Sequence, residues 1–196
     1  MLMHIYNLVV GRFFNQEKLN RDFALAILER DTESAVDMVD LGADVNFKGA
    51  LGEAARTNLP ELAKALLEKG ADPNLPLQHW GGIFPLHFAA LRHSPEIAEM
   101  LLAHGARINA REVMGRTPLH FAATRQDSAG LAKFLVSHGA DPTIKDDGGL
   151  TPLDNARKTG FAEMIDFLTH AVAEHEKAMA PPAPPPHAPM PGGMSH

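Results

Sequence analysis

The sequence predicts an all-α solenoid, helix-turn-helix units stacked side by side and joined by short finger connectors. Three observations predict it. The phrase TPLHFAA at residues 117–123 has near-copies, FPLHFAA at 84–90 and TPLDNAR at 151–157. A second phrase keeps step with it: GADVN from Gly42, GADPN from Gly70, GARIN from Gly105 and GADPT from Gly139. The third is the spacing: the glycines lie 28, 35 and 34 positions apart, and the first phrase recurs after 33 and 34. A two-phrase period of about 33 residues marks a stack whose units share one continuous core.

Each phrase has a mechanical reading. Thr117 followed by Pro118 is a hydroxyl N-cap with proline at the first helical position. Leu119, Ala122 and Ala123 give the inner helix a small apolar face on which a neighbour can sit closely. The glycine of each GAD phrase follows a leucine-rich helix, where a left-handed C-cap is wanted. In the outer helices Leu62, Ala63, Leu66 and Leu67 match Ile97, Ala98, Leu101 and Leu102, and again Leu131, Ala132, Leu135 and Val136. That stripe is one face of a helix and reads as core.

These paired motifs resemble the ankyrin repeat, whose consensus carries TPLHxAA and GADVN in the same relative places. The resemblance covers residues 21–171 and implies an ankyrin-type solenoid of five units, at about 21–46, 49–74, 84–109, 117–143 and 151–171. Residues 1–20 are expected to cap the open end, with Ile5, Leu8, Val9, Phe13, Phe14 and Leu19 at broken helical spacing. A membrane-surface helix is the other reading of that segment, but only Arg12 and Lys18 are there to supply its basic face.

The first unit has lost its phrase, with RDFA at 21–24, and keeps helices at 23–29 and 32–41. In the second, GALGEAA stands in the place of the phrase, and only Phe47 and Lys48 separate it from Asn46, so a tight turn replaces the finger. The third follows a long connector holding Trp80, the single Trp, beside His79 and the pair Gly81 and Gly82; Phe84 replaces the capping Thr. The fourth has one extra residue near QDSAG, and the fifth lacks a GAD phrase, as a C-terminal cap would. Residues 172–196 are expected to form a Pro-rich disordered tail, either simply solvated or docking an SH3-like or WW-like groove.

Composition narrows the function. The chain has 196 residues, 45% of them hydrophobic, and a formal net charge of −6, which argues against a general nucleic-acid binder. It has no Cys, so neither disulfides nor thiolate sites exist. No run is long and apolar enough to span a bilayer, and the opening MLMHIYNLVVGRFF lacks the features of a signal peptide. Cytoplasmic residence and a monomer are expected.

The 11 histidines call for a test of metal binding. His87 and His120 sit in the repeat phrase, where the resemblance implies hydrogen bonds within and between units. His104 and His138 stand at helix C-termini, where a cation suits the dipole. No pair has the spacing of a helical zinc site, and neither metal nor cofactor is expected. No G-x-S-x-G, P-loop or H-E-x-x-H phrase is present, so no enzyme is expected.

One feature rises above this background. Arg56, Arg92, Arg125 and Lys158 occupy the last positions of successive inner helices. The resemblance implies that these positions line a concave groove beside the fingers. Chance and solubility are one explanation of this basic ladder; a groove for an acidic segment of a protein partner is the other. Trp80 and His79 on the longest finger, with Arg111 and Met114 on the next connector, complete the candidate set. The expected function is protein–protein interaction without catalysis; the alternative is a stoichiometric inhibitor or immunity-type protein that blocks a partner enzyme.

Overall fold

The computed structural model describes residues 2–180, with side chains from residue 15 onward. The expected tail therefore lies outside the described residues from position 181. Ten α-helices follow one another: α1 (Leu2–Glu29), α2 (Thr32–Asp40), α3 (Ala50–Thr57), α4 (Pro60–Glu68), α5 (Pro85–Arg92), α6 (Pro95–Ala103), α7 (Pro118–Ala122), α8 (Ala129–Ser137), α9 (Pro152–Thr159) and α10 (Ala162–Met179). The fold is the all-α helix-turn-helix solenoid, with no strand among the described residues and one isolated bridge, Leu77 to Ile83.

The inner row is α1, α3, α5, α7 and α9, each packed on the next; in the outer row α2 packs on α4, α4 on α6, and α8 on α10. The alanines make this possible. Ala54, Ala55, Ala89, Ala90, Ala122, Ala123 and Ala156 are all fully buried between inner helices. The outer stripe is buried as well, with Leu62, Leu66, Ile97, Leu101, Leu131 and Leu135 wholly inaccessible or nearly so.

Each outer helix that precedes a GA phrase ends the same way. Gly42, Gly70, Gly105 and Gly139 take φ between 84° and 94°, and the alanine after each donates back to the helix, as from Ala71 to the Leu66 carbonyl at 2.9 Å. Left-handed backbone strains any side chain, which is why glycine recurs here. A second ladder ties unit to unit. The side-chain oxygens of Asn20, Asn46, Asn74 and Asn109 accept from the amides of Asp44, Asp72, Arg107 and Asp141, at 2.9–3.0 Å.

Three boundaries differ from those expected. No break falls at residue 20: α1 is unbroken from Leu2 to Glu29. No Gly or Pro interrupts positions 13–29, so nothing stops the helix before Arg30, which turns left-handed at φ 61°. Within α1, Gln16 and Asn20 sit one turn apart and take the part of a preceding unit: Gln16 donates to the Gly42 carbonyl at 2.9 Å while Asn20 accepts from Asp44. At the other end, α10 passes residue 171 and continues to Met179. Val172 packs against the core, His175 lies 3.5 Å from Asp141, and the alanines and charged residues of this stretch are good helix formers.

The third difference is in the fourth unit. α3, α5 and α9 end on a left-handed residue (Asn58, His93 and Gly160), whereas α7 stops early at Ala122 with right-handed Ala123 at its end. The extra residue is absorbed by a 3₁₀ turn, Gln126–Ser128, and Arg125 is left in extended backbone before it.

Candidate functional site

The long finger between the second and third units is held by what the second unit lacks. Where the repeat phrase carries His, this unit carries Gly52. Leu77 of the finger fills the vacated space: it is 1% exposed, and a Cβ added to Gly52 would collide with its Cδ1. In the next two units the phrase histidine does the anchoring. His87 Nε2 donates to the Arg116 carbonyl at 2.9 Å, and His120 Nε2 donates to the Leu150 carbonyl at 3.0 Å. Each thereby fixes the following finger.

Beyond Leu77 the finger makes a 3₁₀ turn, Gln78–Trp80, and closes on Gly81 and Gly82, both left-handed. This folds His79 and Trp80 back over α3 and α5. The Glu53 carboxylate, 8% exposed as a residue, accepts from Arg56 Nε at 2.7 Å and sits 2.9 Å from His79 Nε2. The Arg56 guanidinium lies 5.1 Å from the Trp80 ring centroid, and the Phe88 ring meets that indole edge-on at 6.3 Å. Trp80 is thus fixed on two sides and 47% exposed. A ring clamped between a cation and an aromatic edge, with one part open, can meet a partner at low entropic cost.

The next two fingers share a simpler design. Glu112 donates its amide to the Arg116 carbonyl, and Asp146 its own to the Leu150 carbonyl; left-handed Gly115 and Gly149 make the bends. Each acid also organises its loop. Asp146 Oδ1 accepts from the amides of Gly148 and Leu150, both at 2.9 Å. Glu112 accepts from Arg116 Nε at 2.9 Å; burial raises its pKa, but the Arg116 guanidinium and backbone amides outweigh that and hold it below the usual value. The two fingers are tied by Arg111 to Asp147 at 3.0 Å and by the Asp147 amide to the Met114 carbonyl at 3.0 Å. A side chain at Gly115 would collide with both Asp147 and Arg111.

The candidate residues therefore part into two groups. Arg56, His79, Trp80 and Arg92 are brought together, for Arg92 Nε donates to the Arg56 carbonyl at 2.7 Å. Arg30 donates to the Thr57 carbonyl at 2.9 Å from the other side, so the C-terminal carbonyls of α3 are capped by both neighbours. Arg111 and Met114 belong to the second finger, where Met114 and Val113 are 56% and 75% exposed. Arg125 and Lys158 are exposed and, among the described residues, have no carboxylate within 4.0 Å.

This corrects the even ladder in two ways. Arg56 is neutralised inside its own unit by Glu53. Arg125 is not at the end of an inner helix, because α7 stops short of it. Beside the ladder, the finger folds back so that the Trp80 ring meets Phe88 of α5. Glu53 was missed altogether. Its one signal is that an acid occupies an inner-helix position that carries Phe in the two units with a full phrase, Phe88 and Phe121. No group of three or more possible metal ligands occurs among the described residues, and none of their helices is long and apolar enough to cross a membrane.

Known proteins are similar to this chain in sequence. The family profile described as Ankyrin repeats (3 copies) matches residues 23–112, 51–146 and 111–178. FPV031 of Fowlpox virus (strain NVSL) is 33% identical over 146 residues, covering 69% of this chain and 42% of its own. The B-cell lymphoma 3 protein homolog of Mus musculus is 34% identical over 145 residues, 73% of this chain and 30% of its own. The ADP-ribosylation factor GTPase-activating protein AGD2 of Arabidopsis thaliana is 44% identical over 75 residues, 38% of this chain and 10% of its own. The chain thus spans less than half the length of these relatives.

Proposed function

The chain belongs to the ankyrin repeat family, and from that premise we propose that it is a non-catalytic module that binds an acidic segment of a protein partner along its inner helices and fingers. The observation that carries the reading is electrostatic. In a chain of net charge −6, Arg125 and Lys158 are exposed cations with no carboxylate within 4.0 Å among the described residues, and the fingers expose Trp80, Val113 and Met114. Such cations steer an acidic partner and set its register, while half-exposed aromatic and thioether side chains supply contact area. A scaffold of stacked helices loses little entropy on docking.

Arg125→Glu with Lys158→Glu is the informative variant, because neither residue supports the fold through an ion pair. We expect capture of the partner from an extract to fall about tenfold or more, with circular dichroism and melting unchanged. Added salt should weaken capture by the wild type, since exposed charges are screened. Unchanged capture by the double variant would move the site off the inner face. Arg92 is unsuited to the test, because reversing it would set a carboxylate against the Arg56 carbonyl.

A further inference from the structure

A second feature borders the finger that carries His79. Between α1 and the turn Phe47–Gly49 lies a cleft of about 150 Å³, walled by Ala24, Ile27, Leu28 and Phe47. Its lining is mainly apolar, and Leu28 at its mouth is 64% exposed. Lys48 and the His79–Glu53 pair form its rim. Both Lys48 and His79 also border an open trough that continues past Leu75, Pro76 and Gln78.

Size and charge define the occupant. A cavity of about 150 Å³ accommodates one benzene-sized group, so the cleft takes a single apolar side chain. The rim charges do not cancel: Glu53 is already satisfied by Arg56 and His79, whereas Lys48 has no carboxylate within 4.0 Å among the described residues. Lys48 is also held in left-handed backbone, φ 50° and ψ 25°, with its ammonium 5.4 Å from the Phe47 ring centroid. Such a conformation disfavours non-glycine residues, and the tight turn fixes a cation at the mouth of an apolar hole.

We propose that this cleft is the anchor subsite of the partner-binding face, receiving one large apolar side chain of the partner while an adjacent carboxylate pairs with Lys48 and the segment runs on through the trough. The proposal rests on the reading of the face as a site for acidic protein segments. It adds that the segment is not uniformly acidic but holds a Phe- or Leu-like residue next to an acid.

The test uses the whole 196-residue chain and amide NMR. 4-Phenylbutyrate should shift the amides of Ala24, Leu28, Lys48 and Ala50. The neutral 4-phenylbutanol should bind more weakly, and Lys48→Glu should weaken the acid up to about fivefold without affecting the alcohol. Ala24→Phe, which fills the cleft, should abolish binding of both while melting stays near wild type; if that variant unfolds, Leu28→Asp on the exposed rim serves instead. The peptide Ac-Asp-Glu-Phe-Asp-Glu-NH₂ should shift the same amides, and its Phe→Ala counterpart should not.

Absent shifts, shifts centred elsewhere, or binding that survives both cleft variants would overturn the proposal. So would a protein that takes 4-phenylbutyrate but not the peptide, which would mark a small-molecule site. Stronger peptide binding after removal of residues 181–196 would also overturn it, by making the chain's own end the occupant. Failure here remains distinguishable from failure of the wider reading. The probe reports on the cleft alone, whereas Arg125→Glu with Lys158→Glu should leave probe binding intact whatever it does to capture.

Discussion

His87 and His120 stand in equivalent places, yet one has both ring nitrogens engaged and the other does not. Thr117 donates its amide to His120 Nδ1 at 3.1 Å, with its hydroxyl 2.8 Å away, while His120 Nε2 donates to the next finger. With Phe84 in place of Thr, His87 keeps only the Nε2 bond and its buried Nδ1 has no partner. The Phe84 ring stacks on the imidazole instead, centroids 5.7 Å apart. Burial drives the pKa of His87 down to about 4, against an opposing pull from the Arg116 carbonyl, and burial lowers that of His120 as well. Both are therefore neutral in the fold at pH 7. Above pH 6.5 an unfolded histidine is neutral too, and the stability is complete. As pH falls from 6.5 toward 4 the unfolded chain takes up the proton first, and stability drains away. For His87 the full loss is about 3 kcal/mol. Denaturant midpoints between pH 7 and 4 should show the decline, and an imidazole resonance of His87 titrating near 6.5 would refute it.

At the scale of the helix and its connector, the repeat phrase sets the packing and its exceptions set the site. Leu119 is 1% exposed in α7, and Leu119→Ala should cost about 2–5 kcal/mol by chemical denaturation. A midpoint near wild type would mean that the repeat register is wrong. The period made this legible: the phrases placed the inner helices, the outer stripes and the left-handed glycines from sequence alone. What they left out has physical causes. Continuity of α1 follows from helix propensity across positions 13–29, which a search for repeats does not weigh. The early end of α7 follows from one inserted residue, whose place was visible but whose cost to Arg125 was not. The joining of Glu53 to His79 spans 26 positions and depends on the path of the finger, for which the phrase has no counterpart. Candidate residues were thus readable one by one, while the neutralisation of Arg56 and the folding back of Trp80 were not.

Over the whole molecule, the asparagine ladder makes the stack one-dimensional, each unit bonded to the next, and its two ends are finished differently. Gln16 and Asn20 close one end from within α1. At the other, Thr143 replaces the asparagine and bonds instead to Asp141, the residue beside His175. Cutting the chain after residue 171 should therefore lower stability by about 1 kcal/mol or more relative to a cut after residue 180, through loss of Val172 packing and the His175 contact. Equal melting of the two truncations would show that the last turns of α10 contribute nothing. The pairing of Gly52 with Leu77 bears on how such a molecule can be taken apart and rebuilt. Repeat arrays invite cut-and-paste engineering, in which a consensus unit replaces a natural one. Here the second unit and the connector that follows it are lock and key: a consensus histidine at position 52 would strike Leu77, and a consensus finger without Leu77 would leave a hole over Gly52. The seam for any graft falls after residue 83, not after the GAD phrase, so that the two halves of the lock are inherited together.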